Sequence, residues 1–95
     1  MLKLSEGDKK FIDAIGDPVR LRILLALWKS RQELKVYGIC RLTGVGRSSV
    51  RRHLDNLVEN GLVIRKVYGE IVLYSINKDD HKTNALTDFF KNVGL

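Results

Sequence analysis

Between Val19 and Ser30 the chain carries Leu21, Ile23, Leu24, Leu25, Leu27 and Trp28, apolar on almost every side of a helix. A helix of that kind is central, with the other elements wrapped around it. Asp17-Pro18 marks its start, because Asp is a good N-cap and Pro suits the first helical position. In a chain of 95 residues this leaves room for one small domain, read here as residues 1–95. Such a chain buries only about 60–65% of its unfolded surface, so its own core is marginal. Its one cysteine forms no intrachain disulfide, and oligomerisation is the usual remaining source of stability.

The rest of the pattern supplies what wraps that helix. Ser5 to Ile15 places Phe11, Ile12, Ala14 and Ile15 near one stripe of a first helix. Leu34-Lys35-Val36 reads as a short strand, and Val36 to Leu42 as a brief helix with Ile39 and Leu42 inward. Thr43-Gly44-Val45-Gly46 is a tight turn in which Gly44 can take positive φ and close the preceding helix. From Arg47 to Asn60 the apolar positions Val50, Leu54, Leu57 and Val58 form a helical stripe, and Asn60-Gly61 ends it. There the period changes: Leu62 to Tyr68 and Ile71 to Ile76 read as a hairpin around Gly69-Glu70. Lys78-Asp79-Asp80 then opens a last helix along which Ala85, Leu86, Phe89, Phe90 and Val93 recur. The fold class is α+β and mostly helical, about five helices plus a hairpin.

Apolar residues make up 44% of the chain, too many for disorder. Net charge is +6, and its placement says more than its size. Residues 19–52 hold nine basic side chains (Arg20, Arg22, Lys29, Arg31, Lys35, Arg41, Arg47, Arg51, Arg52) against Glu33 alone. Concentrated basic charge is the footprint of a nucleic-acid binder, although a solvated helical face looks the same in composition. Two helices joined by a Gly-containing turn, the second one basic, and then a hairpin, form a winged helix-turn-helix. The second helix buries Val50, Leu54 and Leu57. It offers Arg47, Ser48, Ser49, Arg51 and Arg52 to a duplex, where Arg can pair bidentately with guanine in the major groove. In the hairpin, Arg65 and Lys66 are candidates for backbone contacts.

These residues carry a family resemblance. Ala14-Ile15-Gly16-Asp17-Pro18-Val19-Arg20-Leu21-Arg22-Ile23-Leu24 resembles the opening signature of the ArsR-type winged-helix regulators. Thr43-Gly44-Val45-Gly46-Arg47-Ser48-Ser49-Val50-Arg51-Arg52-His53-Leu54 is similar to their recognition segment, and Asn60-Gly61-Leu62-Val63 to the stretch that ends it. Gly69 through Ile76 matches the wing and its returning strand, so the likeness spans roughly residues 11–76. It implies a homodimer joined through the first and last helices, bound to double-stranded DNA at a palindromic operator and usually repressing transcription. Phe11, Ile12, Leu86, Phe89, Phe90 and Val93 are the interface candidates. A protein-interaction module docking through the aromatic last helix is the competing reading.

The departures from the family bear on regulation. Its metal-sensing members carry a Cys-Val-Cys triplet where this chain has Lys35-Val36-Tyr37, and Cys40 stands alone. Asp79 and His81 have the spacing of half of another family site, but Asn92 and Leu95 fall where the second pair would be. No metal and no cofactor are expected. Asp79-Asp80 caps the last helix in this reading, and His81 is exposed. The family's wing tip is often Gly-Arg; here it is Gly69-Glu70, and a glutamate is repelled by phosphate. Gly46 stands where the family prefers a Ser cap.

Several residues have competing roles. Arg51 either faces DNA or pairs with Asp55 four residues on. Arg20 and Arg22 bond protein carbonyls or acids as readily as phosphate. His53, beside Leu54, reads as a packed or backbone-bonded histidine rather than a base reader. Trp28 and Tyr74 are core candidates, and Cys40 a small buried hydrophobe with an intersubunit disulfide as the alternative. Ser48 or Ser49 with His53 is the one nucleophile–base spacing; no pocket signal, phosphate loop or metal motif accompanies it, so the chain is not read as an enzyme. There is no apolar run of the ~18 residues a membrane span needs and no signal-peptide pattern at Met1-Leu2-Lys3-Leu4-Ser5-Glu6, so a cytoplasmic protein is expected.

Overall fold

The computed structural model describes residues 2–95. Three of its five helices begin where a side chain satisfies their first amides. Helix α1 (Glu6–Ile15) opens on a capping box: Asp8 N donates to Ser5 Oγ at 3.0 Å and Ser5 N to Asp8 Oδ2 at 2.9 Å. Helix α2 (Pro18–Ser30) starts on Asp17, whose Oδ1 accepts from the Val19 and Arg20 amides. Helix α3 (Val36–Thr43) ends at Gly44, whose φ of 73° closes the turn into α4 (Arg47–Glu59). Strands β1 (Val63–Tyr68) and β2 (Ile71–Ile76) pair antiparallel, and α5 (His81–Asn92) follows from the cap Asp80.

Helix α2 is the hub. It contacts α1, α3, α4, α5 and β2, and buries Ile23, Leu24, Ala26 and Leu27. Ile39 from α3, Val50, Leu54 and Leu57 from α4, and Leu62, Val63, Tyr74 and Ile76 around the hairpin complete the core. Each fully buried aliphatic side chain contributes about 1.5–3 kcal/mol relative to exposure. Gly69 at φ 61° with Glu70 outside the positive-φ region makes the two-residue hairpin turn, Gly taking the first central position as a type II′ turn requires.

The expected short strand at Leu34-Lys35-Val36 is a single bridge: Leu34 and Tyr74 exchange both backbone bonds at 2.8 Å, and Val36 already belongs to α3. Leu42 faces solvent rather than the core, because in so short a helix Ile39 alone is fully buried against α2 and α4. Phe90, read as an interface residue, lies inside the chain at 4% exposure with its ring 5.7 Å from that of Trp28. The arrangement is a winged helix-turn-helix of five helices and a two-stranded wing.

At the start of α5, Asp80 Oδ2 accepts from the Thr83 amide at 2.9 Å and from the Thr83 hydroxyl at 2.6 Å, and that hydroxyl belongs to a fully buried residue. The Thr83 bond holds the Asp80 carboxyl below its ordinary 3.8. Asp80→Ala should therefore cost about 1 kcal/mol in urea unfolding, while Asp79→Ala stays within about 0.5. Because the folded value is lowered, this stabilisation is present above about 3.8 and lost as pH falls through the folded value. The gap between wild type and Asp80→Ala should thus close in acid.

Candidate nucleic-acid interface

Helix α4 is two-faced by construction. Val50, His53, Leu54 and Leu57 are buried, while Arg47, Ser48, Arg51, Arg52 and Asp55 are exposed and Ser49 is half-buried. The inner face packs on α2 and α3, which leaves the arginine face outward. Neither ion pair of the described residues, Lys9–Glu6 and Arg65–Asp55, uses Arg47, Arg51 or Arg52. Gly46 leaves the first amides of α4 without a side-chain cap. The face thus presents three uncommitted guanidinium groups and two hydroxyls from one rigid helix, which suits base edges and phosphates of a duplex.

The remaining candidates divide differently. Lys66 is exposed on β1. Arg65 is committed to the protein: it pairs with Asp55 on α4, donates from Nε to the Tyr74 hydroxyl at 3.2 Å, and its guanidinium lies 5.4 Å from the Tyr74 ring centre. The Tyr74 bond is the main reason its pKa is raised. Arg65 is therefore a strut between α4 and the wing, and Asp55 pairs with it instead of with Arg51. The wing tip is apolar and acidic, with Val67, Tyr68 and Ile71 exposed around Glu70. On α3, exposed Tyr37 and Arg41 hold one another by a hydrogen bond of 3.4 Å and a ring contact of 5.8 Å.

Arg20 belongs with the structural arginines. Its Nε donates to His53 Nδ1 at 3.1 Å and its Nη1 to the Asp13 carbonyl at 2.6 Å. His53 is buried and bonded by a side chain rather than by backbone. Its Nδ1 is already engaged by Arg20, so it is not poised as a base for Ser48 or Ser49. Cys40 is half-buried on α3 and free. Asp80 caps α5, and His81 is exposed. Among the described residues no three His, Cys, Asp or Glu side chains converge where they could share a metal ion. No helix of the described residues is long and apolar enough to cross a membrane.

Of the residues read as an interface, Phe11 and Leu86 are half-buried against the core, while Ile12 on α1, Phe89 on α5 and Val93 at its C-cap are 55%, 57% and 53% exposed. Leu4, before α1, is exposed as well.

Residues 17–65 match the profile of a family described as bacterial regulatory protein, arsR family. Among solved structures, the chain is similar to NolR from Sinorhizobium fredii, at 25% identity and a TM-score of 0.78, over 99% of this chain and 97% of that one. The transcriptional repressor PagR of Bacillus anthracis shares 26% identity at a TM-score of 0.74, over 90% of this chain and 93% of that one. The cadmium metal-sensor CMTR from Mycobacterium tuberculosis shares 32% identity at a TM-score of 0.67, over 84% of this chain and 80% of that one. No curated protein sequence matches the chain.

If Arg65 is a strut, Arg65→Ala should cost about 1 kcal/mol in chemical unfolding, mainly from the lost Tyr74 contact, since the pair with exposed Asp55 adds little. Lys66→Ala should leave stability unchanged. Equal midpoints for the two variants would remove the strut.

Proposed function

The chain belongs to the arsR family of bacterial regulatory proteins and is a DNA-binding transcriptional regulator; we propose that it acts as a homodimeric, metal-independent repressor of a palindromic operator inside the cell. The observation that carries this reading is the outward face of α4, where Arg47, Arg51 and Arg52 stand without protein partners while their helix is anchored through Val50, Leu54 and Leu57. A helix so held enters the major groove with its N-terminal residues nearest the bases. Arg47, Ser48 and Arg51 then read base edges, Arg52 and Ser49 steady the backbone, and Lys66 adds a phosphate contact from the wing.

The wing contributes less than a basic tip would. Glu70 opposes the phosphates, and Arg65, held by Asp55 and Tyr74, fixes where the wing sits rather than extending from it. Specificity then rests on α4 in two successive half-sites, about 34 Å apart on the duplex. Exposed Ile12 on α1 and exposed Phe89 and Val93 on α5 are the apolar side chains available to join the copies, next in their helices to half-buried Phe11 and Leu86, which pack on the core. Repression is supported by the similarity to a structure described as a transcriptional repressor. Metal independence is supported by Lys35-Val36-Tyr37 in place of a thiolate triplet and by Asn92 and Leu95 where a second ligand pair would stand.

Retention from a random duplex pool should fall steeply with salt and enrich a palindrome. Failure to retain any duplex at low salt would sink the DNA reading. Arg51→Ala should cost about 1–3 kcal/mol and relax preference at one base position, whereas Arg52→Ala should weaken all sequences alike and lower the salt slope by about one. Phe89→Asp should sediment as a monomer with an unchanged helical spectrum, and an unaltered dimer would take α5 out of the interface.

A further inference from the structure

One guanidinium ties together three helices. Arg20, in the first turn of α2, donates from Nη1 to the Asp13 carbonyl of α1 and from Nε to His53 Nδ1 of α4. Its own amide is held by the cap Asp17. His53 is 6% exposed and directly follows Arg52. No other side-chain bond of the described residues joins α2 to α4, whose remaining contact is apolar packing.

The contact is conditional on charge. A ring nitrogen that accepts a hydrogen bond carries no proton, so the imidazole is neutral with its proton on Nε2. Protonating Nδ1 would set N–H against N–H and place a second cation beside Arg20. Burial, Arg20 and Arg52 favour the neutral ring and Asp17 favours the charged one; burial is the largest influence, and the balance holds His53 below its ordinary 6.5. Of the elements packed on α4, α2 and its cap supply Asp17 and Arg20; no ionisable group of α3 or β1 is among those acting on the ring.

We propose that Arg20 and His53 form a latch, closed only with neutral imidazole, that positions α4 against α1 and α2, and that protonation of His53 opens it and weakens duplex binding. The second half rests on the reading that α4 binds DNA. The sign is diagnostic. A new cation near a duplex ordinarily strengthens binding through the phosphates; an opened latch does the reverse, because it displaces three arginines and two serines together. Asp13 neighbours Ile12 of the proposed dimer face, so the same latch connects that face to α4.

The test is fluorescence anisotropy of the full chain on a labelled duplex of about 30 base pairs, long enough for two half-sites, drawn from the pool retained at neutral pH. It is run from about pH 8 downward until imidazole NMR shows His53 protonated, since its titration lies below that of an ordinary histidine, with helical content followed in parallel. Wild type should lose about tenfold in affinity as pH falls through the His53 titration while remaining folded. His53→Asn places an amide oxygen near the Nδ1 position and cannot titrate, so it should bind like wild type at neutral pH and not lose affinity in acid. His81→Asn should keep the loss. A flat wild-type profile, or a loss that persists in His53→Asn, overturns the proposal.

Should His53→Asn misfold, nitrogen NMR of the wild-type imidazoles decides: Nδ1 of His53 should be unprotonated at neutral pH, and α4 amides should shift with its titration. An Nδ1–H tautomer, or α4 amides that do not respond, would equally overturn it. Absence of duplex binding at every pH would instead refute the DNA reading, and the NMR titration would still decide the latch. Folding favours the neutral ring, so stability is full above about 6.5 and declines as pH falls below it.

Discussion

The burial of α2 is the constraint from which the rest follows. A 13-residue helix with apolar groups on nearly all sides cannot be covered by one neighbour. It takes α1, α3, α4, α5 and β2 together to remove it from water. That requirement fixes which face of α4 turns inward, because Val50, Leu54 and Leu57 are needed to cover Ile23, Leu24 and Leu27. The arginines of α4 face outward as a consequence. The proposed DNA-binding surface is thus the back of a packing solution, held in place by the core and the Arg20–His53 contact rather than by contacts among the arginines.

Charge and donors then have to be separated. Residues 19–52 carry nine cations, but a cation whose N–H groups are engaged by protein reaches out poorly to a base or phosphate. Arg20 is engaged by the Asp13 carbonyl and His53. Arg41 leans on Tyr37, and Arg65 in the wing on Tyr74 and Asp55. Among the described residues Arg22, Lys29, Arg31 and Lys35 are without side-chain partners too, but they are spread over α2 and the link to α3, whereas Arg47, Arg51 and Arg52 share one helix, α4. Bidentate reading by one Arg discriminates about 1–3 kcal/mol per base pair, so a few well-placed arginines outweigh a larger number of diffuse charges in setting sequence preference. The diffuse charge sets salt dependence and encounter rate instead.

Much of this was legible in the residues, and the failures have physical causes. Asp17-Pro18, Gly44 and Asn60-Gly61 mark helix ends because caps and positive φ are local chemistry, and the helix ends fall there within a residue. The strut was latent too: a two-residue turn at Gly69-Glu70 dictates that Arg65 stands opposite Tyr74. Leu42 and Phe90 went the other way. Helical spacing places Phe89 and Phe90 on neighbouring sides of α5, but only the position of Trp28 decides which of the two rings turns inward. The Arg20–His53 contact joins residues 33 apart on different helices, and no local pattern encodes such a pair.

The split between the two phenylalanines bears on the proposed dimer. Phe90 and Trp28 already stabilise the chain, so what α5 offers a second copy is narrower: Phe89 and Val93, with Ile12 from α1. A narrow apolar seam suits the task. On the proposed reading one α4 has two base-reading arginines worth about 2–6 kcal/mol of discrimination, in the lower part of the roughly 4–10 kcal/mol by which specific sites exceed non-specific ones. Two copies at a fixed separation double the contacts, and the duplex itself holds both in register through its phosphates. The seam must therefore set spacing more than supply affinity, and a small interface does that where Arg20 ties the end of α1 beside Ile12 to α2 and Phe90 anchors α5 beside Phe89.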